Sequence, residues 1–311
     1  MRVGYVALVG RPNVGKSTLL NRILGKKIAI VSDKPQTTRI SILGIKTTLK
    51  GQIIFIDNPG IHKPLHKLNK RMMDFVYSSL QTAHLICHLI DATQKFGHGE
   101  RFALDILKRF TSPIFLLINK VDIVKKEKIL LIIDKYKDFL DFKEIIPISA
   151  LKGINVDVLE EKIYEWLPEG ERLYPEEEVS DQSLKFLISE IIREKVLKYV
   201  REELPFVTAV YVEMIEDDSS PFLFKTGEEK PQNISPNKKK KYIKAAIFVE
   251  KDTQRKIVVG KQGKMIKTIG MEARQELEKI LDSKIFLDLS VKVKEKWRDS
   301  PRVLDLIEGQ K

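Results

Sequence analysis

Gly10-Arg11-Pro12-Asn13-Val14-Gly15-Lys16-Ser17 has the spacing G-x-x-x-x-G-K-S and lies between an apolar run, Val3 to Val9, and a helix-like stretch, Lys16 to Leu24. A glycine loop between a strand and a helix start suits phosphate. Glycines let backbone N–H groups approach closely, the helix N-terminus favours negative charge, and Lys16 reaches the β and γ phosphates. Ser17, followed by Thr18, offers a hydroxyl to Mg²⁺. Further along, Lys34-Pro35-Gln36-Thr37-Thr38-Arg39 is polar, and a threonine hydroxyl there would complete the metal shell. Asp57-Asn58-Pro59-Gly60 ends the apolar run Ile53 to Ile56. Asp57 is the expected carboxylate on the metal side, acting through water, and the Gly60 N–H would report the γ-phosphate. Asn119-Lys120-Val121-Asp122 follows another apolar run. The Asp122 carboxylate can accept from N1–H and the 2-amino group of guanine, where adenine would present a lone pair. Asn119 and Lys120 would orient the base and brace the loop. In Ser149-Ala150-Leu151-Lys152 a backbone N–H at Ala150 would meet the guanine carbonyl.

The elements that must carry these groups are short apolar runs alternating with longer amphipathic ones. Val3 to Val9, Ile53 to Asp57, Leu85 to Asp91, Ile114 to Asn119 and Glu144 to Ile148 read as strands. Such alternation predicts an α/β fold, a mostly parallel sheet with helices on both faces. Ligands bind at the carboxyl ends of strands in open sheets, where these polar clusters fall. His62 and His66 stand on adjacent turns without a third ligand, so they read as a solvated, mobile segment rather than a metal site. His84 and His88, flanking an apolar strand, read as structural.

The chain has 311 residues, enough for two domains, and its one cysteine, Cys87, sits in an apolar run and predicts a reducing compartment. No stretch approaches the ~20 apolar residues of a membrane helix and none resembles a signal peptide, so a soluble, cytoplasmic protein is expected. Net charge is +12, which suits a polyanionic partner. Residues 230–264 hold eleven basic and two acidic residues, a candidate phosphate-binding footprint.

Leu167-Pro168-Glu169-Gly170 and Tyr174-Pro175-Glu176-Glu177-Glu178 mark an exposed connection. The predicted domains are residues 1–168, a linker 169–179, residues 180–295 and a tail or helix 296–311. The second domain opens on a helical pattern from Ser180 to Val200, followed by strand-like runs Phe206 to Ile215 and Tyr242 to Glu250. The intervening polar stretch ends in Lys238-Lys239-Lys240-Lys241 and reads as a solvated loop. Next comes Val258-Val259-Gly260-Lys261-Gln262-Gly263-Lys264, a Gly-x-x-Gly turn between an apolar segment and a helix that carries Lys267 and runs to about Leu281. A strand, Lys284 to Val293, closes the domain. Glycines let the backbone press on successive phosphates and Lys261, Lys264 and Lys267 neutralise them. Phe222, Phe224, Tyr242 and Phe248 are aromatic candidates for which core packing is the simpler role.

On these motifs the first half resembles the translation-factor-type GTPases, and the second an α+β type II KH domain, the module that clamps about four nucleotides of single-stranded RNA. With Pro35-Gln36-Thr37-Thr38-Arg39 and Asp57-Asn58-Pro59-Gly60-Ile61-His62-Lys63-Pro64, the combination is similar to the ribosome-assembly GTPases of bacteria. The resemblance implies GTP and GDP as ligands, Mg²⁺ as cofactor, and slow hydrolysis with Lys16, Thr38 and Gly60 about the reacting phosphate. It selects Thr38 over Thr37. It places Ile61 where Ras-like proteins carry the water-orienting glutamine, and Asn13 where some relatives bind K⁺. It also implies binding to 16S rRNA near its 3′ end, a role in 30S subunit assembly, no DNA partner, and a peripheral inner-membrane association. A GTP-regulated scaffold whose second domain binds protein or membrane is the alternative.

Overall fold

The computed structural model describes residues 1–217 and 240–311; Phe222, Phe224, Lys238 and Lys239 lie outside the described residues. Two units divide the chain, Met1–Gln182 and Ser183–Lys311.

The first unit runs β1 (Arg2–Gly10), α1 (Lys16–Leu24), β2 (Ile42–Thr48), β3 (Gly51–Asp57), α2 (Lys67–Thr82), β4 (Leu85–Asp91), α3 (His98–Leu107), β5 (Ile114–Asn119), α4 (Lys126–Tyr136), β6 (Phe142–Pro147) and α5 (Val156–Trp166). Its sheet has the order β2-β3-β1-β4-β5-β6, parallel throughout except that β2 pairs antiparallel with β3. Every residue of β3, β4 and β5 is buried, the burden of strands covered on both faces, which is why they are predominantly apolar runs. The antiparallel edge strand β2 is absent from the expectation above: Ile42-Leu43-Gly44-Ile45-Lys46-Thr47-Thr48 mixes polar and apolar residues and sits beside the polar Thr38 segment, so its pattern is weak. Strand order reverses about β1, and the crevice at its carboxyl end receives the glycine loop.

Residues 169–179 are largely exposed yet are tied to this unit. The fully buried Gln52 side chain accepts from the N–H of Leu173 (2.9 Å) and Tyr174 (3.0 Å) and donates to Tyr174 O (2.9 Å), while Ile45 N–H donates to Val179 O at 2.8 Å. His84 and His88 are structural: Tyr5 N–H donates to His84 Nδ1 at 3.0 Å, and His88, fully buried, lies 2.7 Å from Glu100.

The second unit runs α6 (Leu184–Tyr199), α7 (Leu204–Val207), β7 (Ala209–Asp217), β8 (Lys240–Val249), α8 (Asp252–Val259), α9 (Lys264–Ile280), β9 (Lys284–Val293) and α10 (Pro301–Glu308). Its sheet order is β7-β8-β9, antiparallel then parallel. Ser183 Oγ caps α6 by accepting from Phe186 N–H at 3.1 Å. The strand expected from Phe206 begins three residues later, because Pro205 opens the short helix α7. Residues 296–311 belong to this unit's core: Trp297, 1% exposed, donates from Nε1 to Val207 O at 2.8 Å. Gln310 then pairs with the edge strand as a backbone would, accepting from Val212 N–H (3.2 Å) and donating to Val212 O (2.7 Å). Among the described residues no helix is long and apolar enough to cross a membrane.

Candidate functional site

Two adjoining cavities open at the carboxyl ends of the first unit's strands. One, about 490 Å³, is lined by the loop ahead of α1, by residues 30–33 and 36–38 and by Gly60; the other, about 210 Å³, by Asn119, Lys120, Asp122 and Ser149 to Leu151. Gly15, Thr18 and Lys120 line both, so they form one elongated site.

At the first cavity α1 begins at Lys16 behind Gly15, presenting its N-terminus. Lys16, 5% exposed, donates from Nζ to Arg11 O at 3.1 Å and lies 3.4 Å from Gly10 O. Burial pulls its pKa down to about 8, against the pull of Asp57. Asp57, at the end of β3, is fully buried, and burial pushes its carboxyl up to about 6 despite Lys16 and hydrogen bonds from Ser17 and Thr38. Ser17 Oγ donates to Asp57 Oδ2 at 2.6 Å, and Thr38 Oγ1 stands 3.0 Å from Ser17 Oγ and 3.4 Å from Asp57 Oδ2. Three hard oxygens from three separate segments thus converge, while Asp57 Oδ1 is buried with no hydrogen-bond partner. That donor set and orphaned oxygen fit Mg²⁺.

Gly60 lies against the glycine loop so closely that a Cβ there would come within 2.6 Å of Pro12 N. Ile61 N–H donates to Gly10 O at 2.9 Å, and its side chain, 2% exposed, packs with Val9, Met73 and Val76. The residue standing in place of a glutamine is therefore a core anchor. Asn58, fully buried, does not face the cavity: its amide donates to Leu8 O (3.3 Å) and Ile56 O (3.1 Å) and accepts from Ser41 Oγ (2.8 Å). Asn13, at φ 64°, donates from Nδ2 to Asp33 O at 2.5 Å. His62, expected to be solvated, is half-buried and hydrogen-bonded on both ring nitrogens. Asn69 Nδ2 donates to its Nε2 at 2.7 Å, so Nδ1–H donates to Gly60 O at 2.6 Å. Among the described residues no cluster of three metal-ligating side chains from His, Cys, Asp and Glu occurs.

At the second cavity Asn119 joins two loops, donating to Val14 O at 2.7 Å and accepting from Ala150 N–H at 2.9 Å. The Ala150 N–H expected at the guanine carbonyl is thus engaged by Asn119. Lys120, at φ 67°, is held by Asp91 at 2.7 Å. Hydrogen bonds from Lys120 and Thr93 hold the Asp91 carboxyl below its usual range against the opposing effect of burial. Sequence reasoning passed over Asp91 and Gln94, the latter lining the phosphate cavity, although they too follow a strand end.

In the second unit, Gly260 and Gly263 (both φ 73°) bracket Lys261 and Gln262 between α8 and α9. A Cβ at Gly260 would meet Met265 Cβ at 2.6 Å, so the turn requires glycine by both conformation and space. Lys261, Gln262, Lys264 and Lys267 are exposed around the N-terminus of the 17-residue α9. Beside them a groove of about 450 Å³ runs between α9 and β9, lined by Ile266, Lys267, Gly270, Met271, Arg274 and Phe286. The groove's apolar floor, with Phe286 66% exposed, was missed because single residues on a helix and a strand meet there. Tyr242 stacks on Phe286 at 5.5 Å, and Phe248 is buried.

A P-loop whose metal-side oxygens converge, joined to a base cavity bearing Asp122, defines a guanine-nucleotide-binding GTPase domain, and the glycine-bracketed turn in a helix, strand, strand, helix, helix, strand array defines a KH domain. The family models agree: residues 5–120 match "50S ribosome-binding GTPase" and residues 225–298 match "KH domain". Over 99% of its length the chain is similar, at 41% identity and TM-score 0.89, to 98% of Era solved with MgGDPNP and nucleotides 1506–1542 of 16S ribosomal RNA. It is likewise similar, at 41% identity and TM-score 0.88 over 99% of both chains, to an Aquifex aeolicus Era variant bound to GDP.AlF4-. The chain belongs to the Era family of GTPases.

Proposed function

We propose that this protein is a GTP-driven switch in assembly of the 30S ribosomal subunit, binding 16S rRNA near its 3′ end through the Gly260 to Gly263 turn and the groove between α9 and β9. The observation that carries this is the joint occurrence of both sites in a chain matching, over 99% of its length, an Era structure solved with MgGDPNP and that rRNA segment. The 50S in the GTPase family description belongs to a match over residues 5–120, which leaves the KH half untouched.

In the nucleotide site Lys16 would neutralise the phosphates, Ser17 and Thr38 would hold Mg²⁺ directly and Asp57 through water, and the Gly60 N–H would sense the γ-phosphate. Mg²⁺ supplies charge neutralisation at the transferring phosphoryl group. With Ile61 in the core, no side chain at that position orients the attacking water, and slow turnover follows. Asn13 supports a K⁺ requirement, since its amide and the Asp33 carbonyl sit together beside the phosphate cavity. Hydrolysis should be faster in K⁺ than in Na⁺ buffer and Asn13→Ala should erase the difference; equal rates for the unaltered protein would overturn this role.

Replacing Lys261 and Gln262 together by Asp should abolish binding to an RNA covering the 3′ end of 16S rRNA while GTP hydrolysis measured without RNA continues. Undiminished RNA binding by that variant would overturn the RNA assignment.

A further inference from the structure

The loop closing the base cavity is gripped from two sides. Asn119 Oδ1 takes the Ala150 N–H. From the other side comes Arg22, an exposed side chain in the last turn of α1. Its Nε donates to Ala150 O at 3.3 Å and its Nη2 to Leu151 O. A planar guanidinium donating to two successive carbonyls fixes the orientation of two peptide planes. All described peptide bonds are trans. In a trans peptide the carbonyl of one residue and the N–H of the next point in opposite directions. Drawing the Ala150 carbonyl toward Arg22 therefore sends the Leu151 N–H to the opposite side, and Leu151 lines the base cavity. The next N–H, of Lys152, is taken by Ser149 Oγ at 3.1 Å. Among the described residues, the Leu151 N–H has no hydrogen-bond partner.

We propose that Arg22 is a positioning residue for base recognition: by holding the Ala150 and Leu151 carbonyls it presents the Leu151 N–H to the 6-oxo group of guanine. This rests on the guanine-nucleotide reading of the same site. Helix α1 then serves both ends of the nucleotide. Its first turn faces the phosphates, and Arg22 in its last turn, ~9 Å beyond Lys16 at 1.5 Å per residue, sets the loop that meets the base.

The test uses three ligands on the full chain. GDP carries the 6-oxo acceptor; 6-thio-GDP replaces it with a weak sulfur acceptor while keeping N1–H and the 2-amino group; IDP keeps the 6-oxo group and lacks the 2-amino group that Asp122 reads. Dissociation constants are measured for the unaltered protein, Arg22→Ala and Arg22→Lys, with circular dichroism confirming that each is folded. In Arg22→Ala the preference for GDP over 6-thio-GDP should fall about fivefold, the scale of one hydrogen bond, while the preference for GDP over IDP stays put. Arg22→Lys, still a donor to carbonyls, should recover part of the lost preference. Equal weakening toward all three ligands, or no change, would overturn the role of Arg22. If the unaltered protein itself fails to prefer GDP over IDP, the guanine reading falls instead.

Discussion

Because the Asp122 carboxylate can only accept hydrogen bonds, it matches a base edge that offers two donors, and an amide in its place would match an edge offering one donor and one acceptor. Asp122→Asn should therefore lower GTP affinity by about a thousandfold, the loss of two hydrogen bonds to a charged group, and raise affinity for XTP; competition binding with both nucleotides measures the exchange. The metal site makes a pH-dependent statement of the same kind. Burial pushes the Asp57 carboxyl up to about 6 and pulls the Lys16 amine down to about 8. Below the first value a proton must leave Asp57 before the carboxylate can serve Mg²⁺; above the second, Lys16 must regain its proton to serve the phosphates. Mg·GDP affinity should be flat between these limits and fall on each side, approaching tenfold per pH unit. Titrations from pH 5 to 9 check this, and Asp57→Asn should flatten the acid limb alone. At this scale the nucleotide motifs were legible from sequence because they are contiguous and each follows a strand end. What escaped were groups whose meaning depends on a distant partner: Asn58 tied to Ser41, His62 bridging Gly60 and Asn69, and Asp91 holding Lys120.

Elements were read as well as their patterns allowed. Strands β4 and β5 start and stop where the apolar runs do, since burial on both faces leaves few polar positions, His88 among them being satisfied by Glu100. Edge strand β2, only half-buried at Leu43 and from Lys46 to Thr48, gave no such signal. The C-terminal residues posed a different problem, because a 16-residue tail without a long apolar run carries its importance in two side chains, Trp297 and Gln310. Trp297 is fully buried with its N–H satisfied, so Trp297→Ala removes a large core side chain and should cost ~3–5 kcal/mol. The loss belongs to the second unit. Chemical denaturation followed by two probes should show its transition moved to lower denaturant, while nucleotide binding in the first unit persists.

At the scale of the whole molecule, the proposed switch requires that nucleotide state and RNA occupancy be coupled. Each unit holds its own site, and residues 173–182 run along β2 and β3, the strands that flank the Thr38 segment and deliver Asp57. Order in that segment, set by the γ-phosphate and its metal, is the device available for passing a signal. Linkage requires reciprocity: if GTP raises RNA affinity by some factor, RNA raises GTP affinity by the same factor. From sequence, coupling is expected through ordering of residues 32–42 and 58–75 by GTP and Mg²⁺, but neither motif contains information about how large it is. The direct measurement is the dissociation constant for an RNA covering the 3′ end of 16S rRNA, taken on the full chain with Mg²⁺ and either a non-hydrolysable GTP analogue or GDP. A difference of about fivefold or more is expected, typical of allosteric coupling, matched by an equal change in nucleotide affinity on adding RNA. Identical RNA affinity in the two nucleotide states would contradict the proposed switch.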